Sequence, residues 1–161
     1  MYTINDIEDA ILATLSGNAT LAGYVKAFVS LPSLRQEGIK HIIRQFPSIG
    51  IISTSGKYEQ GIGGMLTETG RFSVICFNRN VRSPEAALRG VDLEAPADAK
   101  GLWDMVEDCR NALLLSDLGL LTEDGTAVID YCLAVSRRLI YSGDDFSAAE
   151  FEIEVSWNNV A

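Results

Sequence analysis

The sequence predicts an α+β fold, a four-stranded, mostly antiparallel sheet with helices packed on one face, in the order α-α-β-β-α-β-β. Apolar residues at helical spacing near the start and after residue 100 predict the helices. Alternation of apolar and polar residues in the middle and at the end predicts the strands, and their short connections favour antiparallel hairpins. At 161 residues and 47% hydrophobic content, the chain is expected to form a single domain over 1–161.

The first segment predicts a helix that ends at Gly17. Thr3 or Asn5 can cap this helix, and Glu8 is placed for a capping box with Asn5. A second short helix is predicted over 21–29. The apolar stripe of the first helix consists of Ile4, Ile7, Ile11, Leu12 and Leu15.

The middle of the chain predicts a hairpin. A third helix or helical turn over 33–45 ends before Pro47, since the residue before a proline avoids helix. Two strands follow, one beginning near Ile49 and one over 67–78, with a glycine-rich connection between them. The stretch 80–97 has no clear period, and a segment of this length without structure of its own is usually functional or disordered.

The last third predicts a helix and a second hairpin. Asp98 opens the helix, which carries Trp103, and the strands cover 127–141 and 147–159 around a turn at 142–145. The final strand alternates strictly, so its apolar face is expected to meet the helices that contain Ile11 and Trp103. That face consists of Phe151, Ile153, Val155 and Trp157, and the opposite face carries Glu150, Glu152 and Glu154.

Three carboxylates on one face of a strand repel one another unless they are paired. If the turn is centred on residue 144, Arg138 falls opposite Glu150. Glu152 then falls opposite Ser136, and Glu154 opposite Ala134. One cation for three acids leaves residual negative charge, so this face is either solvated or turned toward another molecule.

The composition limits the classes of function. The 22 acidic and 13 basic residues give a net charge of −9, which argues against nucleic-acid binding as the main task. The polar N-terminus does not resemble a secretory signal, and no apolar run is long enough to span a bilayer. The three cysteines, which lack metal-like spacing, are expected to be reduced core thiols. They are Cys76, Cys109 and Cys132.

The search for catalytic chemistry finds little. His41 is the one histidine and has no acid at a telling offset, so a helix-surface or packing role is favoured over a general base. The glycines at 61–64 lack the lysine and hydroxyl of a phosphate loop. We therefore expect no enzyme, metal or cofactor. A small enzyme that acts through the 80–97 loop and His41 is a less favoured alternative.

Four segments together resemble a known family. They are INDIEDAILATL, FPSIGIISTSGKYEQG, GLWDMVEDCRNALLLSDLGL and SRRLIYSGDDFSAAEFEIEV. In this order they resemble the tail proteins of the gene product 37 family of Mu-like phages and, through the predicted fold, the tail terminator proteins of long-tailed phages. The resemblance covers most of the chain outside the loop at 80–97 and carries over no catalytic residue.

The resemblance implies an assembly role. Tail terminators form a sixfold ring on the finished tail tube, stop its growth and offer a surface for joining the head. The implied partners are further copies of the chain, as a hexamer, and the tail tube protein, and the tail sheath and the head–tail connector are further candidates. DNA would pass without specific binding, and the protein would assemble in the host bacterial cytoplasm and reside in the neck of the virion tail. A head–tail connector or neck adaptor is the alternative.

Two sets of residues are candidates for contacts in such an assembly. Loops on a rigid scaffold tend to carry function, so the glycine-rich tip and the 80–97 loop are expected to contact a neighbouring subunit or the tube. These candidates are Gly61, Ile62, Gly63, Gly64, Arg82 and Arg89. The second set, expected on the outer face or facing a ring channel, is Glu150, Glu152 and Glu154.

Overall fold

A computed structural model of the chain describes residues 1–32, 43–61, 64–79, 100–143 and 145–159. Several sequence-based predictions fall outside these ranges. They concern the helix over 33–42, His41, Ile62, Gly63, the loop at 80–97 with Arg82 and Arg89, and Asp98 as the start of a helix.

The described residues contain the helices α1 (Ile4–Gly17), α2 (Ala19–Ala22) and α3 (Leu102–Leu113). Thr3 caps α1: its hydroxyl accepts a hydrogen bond from the N–H of Asp6, whose carboxylate in turn accepts one from the N–H of Thr3. The prediction of a capping box between Asn5 and Glu8 was therefore wrong. Glu8 instead accepts a hydrogen bond from the hydroxyl of Ser30.

The second helix is much shorter than predicted. It ends at Ala22, and the strand β1 (Ala27–Ser30) covers the last part of the predicted helix, 27–29. Asn18 caps the short helix, whereas Phe28 and Val29, an aromatic and a β-branched residue, suit a strand. The apolar residues Leu21, Tyr24, Val25 and Phe28 have helical spacing, and the four residues of β1 are too few to show a strand period of their own.

The sheet has five strands, so the predicted number of four was wrong. The order is β1-β2-β3-β5-β4, with β1 parallel to β2 and every other neighbouring pair antiparallel. The predicted hairpins β2–β3 and β4–β5 are both present, and α3 lies between them in sequence. The longer strands are β2 (Ser48–Gln60), β3 (Leu66–Arg79), β4 (Ile129–Ser142) and β5 (Phe146–Asn159).

The main core lies between the helices and one face of the sheet, called here the inner face. As predicted, the apolar face of β5 belongs to this core: Ile153 is buried with Ile11 of α1 and Cys109 of α3, and Trp103 packs against the same cluster. The helices divide the sheet between them, since α1 contacts β1 and β2 and α3 contacts β3, β4 and β5. Phe151, Val155 and Trp157 are likewise buried.

A second, smaller apolar cluster covers one end of the opposite, outer face of the sheet. Leu31 lies directly over Gly50, where an added Cβ would come within 2.5 Å of its side chain. Phe46 and Phe146 stack with their ring centroids 5.7 Å apart. The fully or largely buried members are Leu31, Ile43, Ile75, Phe77, Phe146 and Ala148. The chain around β1 thus wraps over a face that the sequence predicted to be polar.

The three cysteines are free and buried, in agreement with their prediction as core thiols. The Sγ atoms of Cys76 and Cys109 lie 3.9 Å apart, and their hydrogen bond, together with burial, raises the pKa of Cys109. Burial also raises the pKa of Cys132, to about 11. Cys109 and Cys132 therefore stay protonated and unreactive at neutral pH.

Replacing Ile153 with alanine should destabilise the protein strongly, because Ile153 is 1% exposed and lies on the inner face of β5, an interior strand of the sheet. Substitutions of this kind cost about 2–5 kcal/mol. Chemical denaturation of the purified chain measures the change. Leu121→Ala is the control, since Leu121 is 48% exposed. Equal losses in the two variants would contradict the proposed core.

Candidate functional site: the outer sheet face and the hairpin tip

Strand β5 places the three glutamates on the outer face, as its alternation predicted. β5 lies between β3 and β4, so each glutamate has a neighbour on both sides. The predicted register holds for Glu150 opposite Arg138 and for Glu152 opposite Ser136. It fails for Glu154, which lies opposite Leu133, because β4 has an irregularity between Ala134 and Ser136.

Glu150 differs from its two neighbours because it is buried. The residue is only 4% exposed, since Ile75 of the outer apolar cluster lies directly opposite it on β3. Its carboxylate accepts hydrogen bonds from the hydroxyl of Ser73 and from the guanidinium of Arg138. The bond to Glu150 raises the pKa of Arg138 above its ordinary value. The expectation that all three glutamates face solvent, a subunit or a channel is therefore wrong for Glu150 within this chain.

A second arginine, which the sequence analysis did not identify, forms ion pairs with the other two glutamates. The Arg71 side chain on β3 lies between them, with Nε 3.1 Å from Glu154 Oε2 and Nη1 3.6 Å from Glu152 Oε1. From the other side, the hydroxyl of Tyr131 donates a hydrogen bond of 3.2 Å to Glu154. Three carboxylates with two guanidiniums leave one formal negative charge, so the row is closer to neutral than predicted.

The polar outer face continues beyond the glutamates as pairs of side chains between β3 and β5. Thr69 donates to Ser156 at 3.4 Å, and Thr67 donates to Asn158 at 2.8 Å. Asn158 in turn donates to Asp130. Thr69 and Ser156 are buried, 7% and 3% exposed, and their hydroxyls satisfy each other, whereas Thr67 and Asn158 are partly exposed.

The glycine-rich connection forms the tip of the β2–β3 hairpin. Gly61 donates its N–H to the carbonyl of Met65 at 2.8 Å, and Gln60 pairs with Leu66 just inside. Gly64 has φ +84°, a backbone conformation that favours glycine. Gly61 and Gly64 are both exposed, whereas Ile62 and Gly63 lie outside the described residues.

No group of three or more His, Cys, Asp or Glu side chains in the described ranges is arranged to hold a metal ion. No helix in the described part of the chain is long and apolar enough to cross a membrane. A part-buried polar contact joins Tyr24 to Asp108 at 2.7 Å, with Lys100 3.1 Å from the same carboxylate oxygen. Burial and this carboxylate raise the pKa of Tyr24, so the phenol acts as a donor to Asp108.

Comparison with known proteins decides the family. The profile described as Bacteriophage Mu, Gp37 matches residues 3–130. The chain belongs to the bacteriophage Mu Gp37 family. It is thus a Mu-like phage structural protein, which points to the virion as its location and away from an enzyme. No curated protein sequence matches the chain.

The match to the Gp37 family also shows which part of the structure lies outside it. Residues 3–130 include both longer helices and the β2–β3 hairpin with its tip. The match ends just after β4 begins, so the glutamate row of β5 is not part of it. The resemblance seen in the segment from Ser136 to Val155 is therefore not supported by the family match.

Replacing Arg138 with alanine should destabilise the protein, because Glu150 would keep only its bond from Ser73. A buried polar group that loses its partner costs about 1–3 kcal/mol. Denaturant titration measures the loss. The control is Arg110→Ala, which removes a surface pair with Glu107 on the same helix and is expected to cost about 0.5 kcal/mol or less. A loss no greater than that of the control would contradict a structural role for the Arg138–Glu150 pair.

Proposed function

We propose that the chain is a tail terminator that caps the finished tail tube as a hexameric ring, ends tube polymerisation and forms the surface to which the head joins. Membership of the Gp37 family, which makes it a phage structural protein, carries this proposal. A stable domain with loops at its margins suits a part whose work is to fit between larger assemblies. Its partners are other copies of the chain, the tail tube protein, and the sheath and head–tail connector where they adjoin the ring.

The β2–β3 hairpin tip is the proposed contact with the tube or with a neighbouring subunit. Seven residues before it, from 54 to 60, are all exposed, so this end of the hairpin can be covered by a partner without unfolding the core. Gly61 and Gly64 bring the backbone to the surface without side chains, which allows close approach of another chain. The remaining contact candidates from the sequence are Ile62, Gly63, Arg82 and Arg89.

The net charge of −9 supports a ring that DNA passes without binding. A negatively charged lumen repels phosphates and so does not retain the genome. Within this proposal, the partly exposed members of the row, Glu152 and Glu154, face the channel or its rim, where their pairing with Arg71 keeps that guanidinium from phosphates. Both side chains are 23% exposed and keep Arg71 neutralised.

Disabling the gene in an infection should yield tails of uncontrolled length without heads, since nothing would stop tube growth. Electron microscopy of the lysate measures the tail lengths, and the wild-type chain supplied from a plasmid should restore uniform tails and infectious particles. Tails of normal length that merely lack heads would contradict the terminator and favour the neck adaptor instead.

The same complementation tests the hairpin tip. Deleting 62–64 leaves Gly61 and Met65 as a two-residue loop between the paired residues Gln60 and Leu66. A glycine in the first position suits a type II′ turn, so the fold should be retained. The variant should fold, as judged by circular dichroism, yet fail to restore uniform tails. Full complementation by this variant would exclude the tip as a contact.

If the row faces the channel, removing the carboxylates that pair with Arg71 should let this guanidinium bind the phosphates of passing DNA. Replacing Glu152 and Glu154 with glutamine changes the formal charge of the row from −1 to +1, since two guanidiniums and one carboxylate remain. Tails should still form, but DNA passage should be hindered and the yield of infectious particles should fall. The control, Asp117→Asn with Glu123→Gln, makes the same change in net charge at exposed positions outside the sheet strands. Equal yields from both variants would remove the channel role.

A further inference from the structure

Strand β4 is an edge strand with an unusually open flank. It is last in the strand order, and within the described residues it pairs only with β5. Every residue from 133 to 139 is exposed, although these residues lie in the middle of the strand. The N–H of Leu115 donates a hydrogen bond of 3.3 Å to the carbonyl of Cys132, so the strand edge is covered just before this stretch. Long exposed edges are templates for pairing with another chain.

Exposed apolar side chains follow this edge. Leu115 is 77% exposed and has φ 56°, a strained conformation for leucine that places an apolar side chain in water. Val135 is the extra residue of the irregularity between Ala134 and Ser136, so it has no direct partner on β5. Several large apolar side chains exposed along one edge are typical of an interaction site. The edge strip, as it is called below, comprises Leu114, Leu115, Leu133, Val135 and Leu139, which are 42% to 77% exposed.

The charges beside the edge strip are basic, in contrast to the acidic chain as a whole. Arg137 and Arg138 are the charged residues between 133 and 139, and their side chains are 59% and 67% exposed. Arg137 pairs with Glu107 on the inner face, and Arg138 pairs with Glu150 on the outer face. Both guanidiniums are more than half exposed, so they flank the edge from its two sides. A partner that covers this strip should therefore present an acidic surface with an apolar centre.

The opposite side of the same molecule has such a surface. Helix α1 lies over β1 and β2 and carries the exposed acids Asp6 and Asp9. On β2, Tyr58 is 74% exposed beside Glu59, whose carboxylate is paired with Lys57 at 3.2 Å, so the acidic charge of this side comes from α1. Within the described residues, no strand pairs with β2 on its β1 side beyond the contact of Ile51 with Leu31.

We propose that the β4 edge strip of one copy binds the β2 edge and acidic α1 side of the next copy, head to tail. Such a heterologous contact uses two different surfaces and repeats around a ring until the rotation closes. A two-fold contact between β4 edges is disfavoured, because it would bring two copies each of Arg137 and Arg138 into one short ladder. The inference rests on the proposed ring and names the surfaces that join it.

Cross-linking of the full-length chain tests this contact. One sample carries Val135→Cys and a second carries Tyr58→Cys. The native cysteines are buried, and the wild-type chain measures any cross-linking that they cause. The two are mixed with purified tail tubes and treated with a short bis-maleimide reagent. The head-to-tail contact predicts a linked dimer from the mixture and none from either variant alone.

The other outcomes separate the contact from the ring itself. Self-linking of Val135→Cys alone would show a two-fold β4 contact and overturn the proposal. Absence of the mixed product, while a general amine cross-linker still gives oligomers on the tubes, would overturn the contact and leave the ring in place. Absence of oligomers with both reagents would overturn the ring and the contact together.

A pair of matched variants gives an independent measurement. Leu139→Asp places a carboxylate in the edge strip, whereas Leu121→Asp makes the same change at a leucine of similar exposure outside it, 48% against 43%. Both should fold. Leu139→Asp should lose the amine-linked oligomers on tail tubes and Leu121→Asp should keep them; oligomers retained by Leu139→Asp would overturn the role of the strip.

Discussion

Burial of the inner face of β5 is the contact on which the rest of the structure depends. This strand has a neighbour on each side, it contacts α3, and its apolar side chains belong to the core cluster that also holds the buried side of α1. Each large apolar side chain that is buried in this way stabilises the fold by about 1.5–3 kcal/mol. Because successive side chains alternate, fixing Phe151, Ile153 and Val155 inward also fixes the glutamates outward. The polar row is a consequence of the core, whatever else it does.

The outer face shows how the fold tolerates that consequence. Like charges two residues apart on a strand would repel, but the neighbours on both sides supply a guanidinium, Arg71 from β3 and Arg138 from β4. Glu150 can be buried beside the outer apolar cluster because its carboxylate keeps two donors there. Pairing across three strands thus converts a repulsive row into a nearly neutral surface, and leaves the excess negative charge of the chain to other parts of the molecule.

The sequence predicted the features that depend on neighbouring residues, namely the faces of β5 and the turn of the second hairpin, but not those that depend on residues far apart in the chain. The period of β5 was sufficient to assign its faces, and the turn at 142–145 was sufficient to place Arg138 opposite Glu150. The register beyond Ser136 could not be predicted, because an inserted residue in β4 has no local signature. Arg71 was missed for a related reason: it is about 80 residues from the glutamates and meets them only through the pairing of β3 with β5. Strand β1 was missed because four residues cannot show a period.

The same logic explains why an assembly surface is harder to recognise than a core. A core residue is marked by its spacing, since the periods of helix and strand force apolar side chains to one side. Leu133, Val135 and Leu139 have spacing that would equally suit a buried strand, and only the strand order shows that β4 is at the edge. The domain has its basic, apolar edge at β4 and its acidic side at β2 and α1, with the polar pairs of β3 and β5 between them. In the proposed ring, such an asymmetry would give successive copies a direction, which two edges of identical charge would not provide.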